Sequence, residues 1–216
     1  MARRWYPRGT PQTPRRNNGP MEEAWVRAAI ASRSRTCAPP EPHLLIPELA
    51  LCQAEARIDL AVVERSRLVG WEIKTRADRL TRLPQQQQVY SRVFDRVWLA
   101  ADVKHIEAAT AVIPEWWGIV RIEADAGQCR LVQVRSSRLN RGVDLYSLVR
   151  LLWRDEVLSE LARVGLGEGQ ARSPKRELWA ALAAAAPRFI SAAQLRSRVR
   201  TRLMSRDDWR ADRPRM

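Results

Sequence analysis

A chain of 216 residues with 45% hydrophobic content is long enough for one core of ordinary size, or for a core with a smaller appendage. Its apolar runs are too short to cross a bilayer, and Met1-Ala2-Arg3-Arg4-Trp5 lacks the apolar stretch of a signal peptide, so a soluble, cytoplasmic protein with no membrane contact is expected. A formal net charge of +14 calls for a polyanionic partner, whereas Cys37, Cys52, Cys129, His43 and His105 are too few and too scattered for zinc, disulfide or histidine-nucleophile chemistry.

In chain order, residues 1–19 carry Arg3, Arg4, Arg8, Arg15 and Arg16 among prolines and read as a disordered basic arm that cannot pack a core. Asn18 and Pro20 mark a helix start, with Glu22 and Glu23 in its first turn and an apolar stripe from Met21 through Trp25, Ala28 and Ala29. After the prolines at 39–42, residues 43–46 read as a short strand and 47–51 as a lead-in to two strands, 57–63 and 69–74, joined by Glu64-Arg65-Ser66-Arg67. A helix is expected at 85–94, a buried strand at 96–101, a helix capped by Asp102, and a second hairpin from 117–122 and 129–134. The order helix, strand, hairpin, helix, strand, helix, hairpin predicts an α/β domain with a mixed sheet over 20–140. Residues 141–216 read as a basic helical subdomain with helices at 144–164, 173–185 and 192–204. The last carries Arg196, Arg198, Arg200 and Arg202, which suits either a DNA-binding unit or a small cap with a solvated basic face.

The first hairpin concentrates the chemistry. A turn symmetric about Arg65 and Ser66 sets Asp59 opposite Glu72, with Cβ atoms roughly 5 Å apart, and Arg57 opposite Lys74. Two carboxylates facing each other repel, so a sheet has no structural use for them. A divalent cation reverses the sign of that interaction. Of the 38 basic residues only Lys74, Lys104 and Lys175 are lysine. A GC-rich genome accounts for the arginine bias, and against it Lys74 keeps a compact ammonium that sits beside a metal and a phosphate where a planar guanidinium fits poorly. Gln86 and Tyr90 fall one helical turn apart and face the same way. Arg57, Arg76, Arg79 and Arg82 form the basic surroundings expected of a site for a polyphosphate substrate. Trp116-Trp117 reads either as a base-stacking platform or as packing at a helix-to-strand turn.

Asp59, Glu72-Ile73-Lys74 and the following Gln86-Gln87-Gln88-Val89-Tyr90 resemble the motif of the PD-(D/E)XK nuclease superfamily, with its restriction-endonuclease-like core. Glu48-Leu49-Ala50-Leu51, Gly70-Trp71-Glu72-Ile73-Lys74, Arg82-Leu83-Pro84, Ile113-Pro114-Glu115-Trp116-Trp117-Gly118 and Leu151-Leu152-Trp153-Arg154-Asp155-Glu156 are similar to the bacterial sce7726 family, and the early strands to MmcB-type DNA repair proteins. The resemblance implies a nuclease domain over 20–140 that hydrolyses DNA phosphodiester bonds with Mg2+ or Mn2+, in bacterial DNA repair, phage defence or mobile-element biology. It implies Asp59, Glu72, the Ile73 carbonyl and Glu48 as metal ligands, with Lys74, Gln86 and Tyr90 completing the catalytic set. Glu22 or Glu23 competes with Glu48 for the place of the third acid. DNA is the expected partner and a homodimer is left open.

Overall fold

The computed structural model describes residues 23–36, 43–125 and 128–206. The expected arm at 1–19, the helix start at Asn18 and Pro20 with Glu22, Cys37 and the prolines at 39–42 lie outside the described residues.

Runs of Leu, Ile and Val between 43 and 74 suit a pleated surface packed on both sides. They form an antiparallel meander of β1 (His43–Leu51), β2 (Ala56–Glu64) and β3 (Leu68–Lys74). The expected short strand at 43–46 thus runs on through the supposed lead-in, with Glu48 alone turned into the left-handed region at φ 56°. Every residue of β3 is buried, including its two charged ones. α2 (Leu83–Val93) has Pro84 in its first turn, where the missing N–H costs nothing, and buries Leu83, Val89, Tyr90 and Val93. It returns the chain to β4 (Arg96–Asp102), parallel to β3. Asp102 then accepts the Lys104 N–H at 3.0 Å and starts α3 (Val103–Thr110), which leads to β5 (Gly118–Asp125), parallel to β4, and the antiparallel β6 (Gln128–Arg135). The strands lie in sequence order in one six-stranded mixed sheet, giving the expected α/β fold.

Strand alternation divides the apolar residues between two faces. Leu60, Val62, Trp71 and Ile73 pack with Val26 and Ile30 of α1 (Glu23–Thr36). Ala61, Val63 and Leu68 face α2, α3 and the C-terminal helices α4 (Leu145–Val149), α5 (Arg154–Arg163), α6 (Lys175–Ala184) and α7 (Ala192–Met204). The apolar cluster on that side is continuous from Ile58 and Tyr90 to Leu203. The single helix expected over 144–164 is two. Trp153 is extended at ψ 160° and its N–H donates to Glu156 Oε2 at 2.7 Å, which caps a new helix, while the break turns Leu151 and Leu152 into the core. No helix among the described residues is long and apolar enough to cross a membrane.

Candidate functional site

The hairpin keeps the register read from its turn: Leu60 pairs with Trp71, Ala61 with Gly70, Val62 with Val69 and Val63 with Leu68. The ladder stops there, so it includes neither the expected pairing of Asp59 with Glu72 nor that of Arg57 with Lys74. Side chains take over the backbone groups released. Asp59 Oδ2 accepts the Ile73 N–H at 2.6 Å, and the Arg57 carbonyl accepts the Tyr90 hydroxyl at 2.7 Å. β2 and β3 therefore splay at the end where the carboxylates sit. Because the N–H and C=O of one strand residue point to the same side, the Ile73 carbonyl is turned toward this splay as well.

On the other side of β2, the β1–β2 register places Glu48 across from Asp59, between the pairs Pro47–Leu60 and Leu49–Ile58. Glu48 holds a backbone conformation that costs a non-glycine residue about 1–3 kcal/mol and that collects at functional sites. Glu23, in the first turn of α1, brings a third acid. Ligand oxygens of Glu23, Glu48 and Asp59 all lie within 4.8 Å of one another. Glu48 and Glu23 of the first helix, the two alternatives for a third acid, both lie beside Asp59, and Glu22 is outside the described residues. Arg27, one turn after Glu23, donates to Glu23 Oε1 and Glu48 Oε1, and Arg57 Nε pairs with Glu48 Oε2 at 2.7 Å. Burial, and then the charge of Glu72, push the Asp59 carboxyl from 3.8 up to about 8; Glu23 adds to the rise, while the Ile73 N–H and Lys74 pull against it.

Glu72 is not one of that trio; it forms an adjoining buried knot. Its Oε1 lies 2.5 Å from Lys74 Nζ and its Oε2 accepts from the Tyr90 hydroxyl at 2.7 Å, and the nearby Gln86 amide also favours its charged form. Burial raises the Glu72 carboxyl despite Lys74, and burial together with Glu72 drives the Tyr90 phenol far above its usual range. Tyr90 is thus a fixed proton donor with a single proton and two acceptors 2.7 Å away. Gln86 Oε1 is buried with no hydrogen-bond partner. Such an acceptor is costly to leave unpaired, so the site has room in its bonding for one more ligand or donor.

The expected substrate arginines divide. Arg76, Arg79 and Arg82 are exposed in the loop between β3 and α2, and Arg57 is exposed but engaged with Glu48. The basic helix does not present the solvated basic face expected of a small cap. Arg196 and Arg200 pair with the buried Asp95, and Arg198 and Arg202 with the buried Glu160, so α7 turns these arginines inward. Trp117 is fully buried and Trp116 packs edge-on against it, which favours packing over a stacking platform. Arg27 is a further residue of the site, and its position four residues after Glu23 on a helix is the sequence signal for that pairing.

Oxygen donors alone, three of them carboxylates, suit a hard divalent cation such as Mg2+ or Mn2+. The raised Asp59 carboxyl and the unpartnered Gln86 oxygen fit the same group.

The model of the bacteriophage P4 protein cII family matches residues 17–210 of this chain. Among curated proteins there is no significant match. Among solved structures the chain is similar to the SPO1766 protein of unknown function from Silicibacter pomeroyi, at 18% identity over 54% of this chain and 69% of that one, with a TM-score of 0.37.

Proposed function

This chain belongs to the bacteriophage P4 protein cII family, and we propose that it is a metal-dependent DNA nuclease of the PD-(D/E)XK type. One observation carries the reading: the β2–β3 splay gathers Asp59, Glu72 and Lys74, and two further acids, Glu23 and Glu48, close on Asp59 from α1 and β1. The element order agrees with the restriction-endonuclease-like core, a helix, three antiparallel strands, a helix and a further strand. Asp59 lies on its second strand and Glu72-x-Lys74 on its third.

Asp59, Glu48, Glu23, Glu72 and the Ile73 carbonyl are the groups to hold Mg2+ or Mn2+. A cation bound there supplies charge neutralisation and polarisation of a phosphodiester. The chain's own groups do the rest. Lys74 carries its ammonium, on Glu72, to where negative charge builds on the phosphate. Tyr90 fixes Glu72 and the end of β2 together, and Gln86 offers its free oxygen to orient a water. Arg76, Arg79 and Arg82 supply exposed cations for the DNA backbone next to Lys74. Of the settings expected, the family's name leans toward phage and mobile-element biology.

A second reading is a DNA-binding protein that keeps this fold without cutting. Arg27 favours it, because its guanidinium already bridges Glu23 and Glu48. The two are separated by incubating the protein with plasmid, linear and branched DNA in Mg2+ or Mn2+. The nuclease reading expects cleavage that Asp59→Asn and Glu72→Gln abolish while DNA affinity is retained. Wild type that binds DNA but cuts none of the three forms decides for the binding protein.

A further inference from the structure

The backbone leaving β3 just after Lys74 is held from a different element. Thr75 gives both its N–H and its Oγ1 proton to Asp78 Oδ2, at 2.7 Å each, and its carbonyl takes the Asp78 N–H at 3.1 Å, closing a tight turn. The second lone pair of that carbonyl points to His105, whose Nε2 lies 3.0 Å away. A carbonyl only accepts, so the proton is on Nε2 and the ring acts as a donor. His105 is 7% exposed in the first turn of α3, and α3 is itself capped by Asp102 at the end of β4. Ala101, one residue before that cap, pairs with Lys74 across the β3–β4 ladder. The imidazole therefore ties the ends of two parallel strands together on the residue next to Lys74.

We propose that His105 is a positioning residue for the candidate site. Resting on the nuclease reading of Lys74, it fixes the peptide after Lys74 and aims the loop that bears Arg76 and Arg79, without touching the acids. A rigid carbonyl at Thr75 sets the direction in which Lys74 leaves the sheet. A loop tied at Thr75 presents its arginines in one arrangement rather than many, which lowers the ordering cost of engaging a phosphate.

The test compares His105→Leu, which keeps apolar bulk but has no donor, with His105→Gln, whose side-chain Nε2 can reach the same carbonyl. Amide hydrogen exchange over 75–82 is measured in the full chain without DNA, and single-turnover cleavage of a duplex is measured in Mg2+ at several DNA concentrations. In His105→Leu, exchange over 75–82 speeds up while β4 and β5 stay protected. The maximal cleavage rate falls about tenfold, the equivalent of one hydrogen bond of about 1.4 kcal/mol, and the half-saturating DNA concentration moves far less. His105→Gln restores both. Unchanged exchange in His105→Leu, or a glutamine variant as impaired as the leucine one, overturns the proposal. If His105→Leu does not fold, the exposed Asp78→Ala opens the same turn from its other side, and an unaltered cleavage rate in that variant counts against the proposal equally. Absence of cleavage by wild type sinks the nuclease reading, and the exchange comparison still decides whether His105 braces the loop.

Discussion

Lys74 and Glu72 form an ion pair that water hardly reaches, with side chains 6% and 1% exposed. Taking away one partner of such a pair leaves the other buried and uncompensated, at a cost of about 3–5 kcal/mol. Lys74→Met is therefore expected to lower stability to denaturant by about 3 kcal/mol as well as to end cleavage. An unchanged midpoint would mean that Glu72 is already protonated. Asp59 makes a prediction with a definite sign. Its folded carboxyl is raised to about 8 from 3.8, so the folded protein holds this proton more tightly than the unfolded chain does. The stability linked to it is complete below about pH 4 and is lost as pH rises through about 8. In EDTA, wild type should resist urea less well at about pH 8 than at about pH 5, and Asp59→Asn should lose that slope. Added Mg2+ should restore wild type at the higher pH by stabilising the ionised cluster.

Among the elements, β4 and β5 meet with no room to spare. A Cβ added at Gly118 would sit 2.2 Å from the Trp98 ring, and that ring is stacked on Trp71 at 5.3 Å between centroids, so its retreat is blocked. Gly118→Ala is expected to cost about 1–3 kcal/mol, read from the denaturant midpoint. The order of the elements and the register of the first hairpin were legible because alternation and turn length are local properties of the chain. So was the shared face of Gln86 and Tyr90, which converge on Glu72 as helical spacing requires. The break at Leu151–Trp153 was not legible, because apolar residues continue through it and the burial of Leu151 and Leu152, which favours it together with the Glu156 cap, is a tertiary property. The joining of Glu23 with Glu48 was hidden for a related reason: it depends on how α1 lies on the sheet, and no local pattern encodes that. The inward turn of the α7 arginines escaped detection because Asp95 and Glu160, their partners, are far away in sequence.

For the whole molecule, the C-terminal helices share the core of the sheet: Leu195, Val199 and Leu203 of α7 are fully buried in the cluster that contains Tyr90 and Ile58. A chain cut before Ser191 is expected to lose cooperative thermal unfolding, followed by near-UV circular dichroism. A truncated chain that melts sharply would show α7 to be an appendage. The same helix also reaches the β2–β3 hairpin at its turn. Asp95 takes the Leu68 N–H at 2.7 Å while paired with Arg196 and Arg200, and Arg200 Nε donates to the Arg65 carbonyl at 3.0 Å. The hairpin is thus a beam clamped by α7 at its turn, and its other end, roughly 20 Å away along the strand, is the tip that carries the acids and Lys74, held by Tyr90 and the β3–β4 ladder. A genetic screen for lost activity would for that reason collect two kinds of mutant: those that remove a charge at the tip, and those, such as Arg200 substitutions, that loosen the clamp and let a chemically intact tip drift out of line.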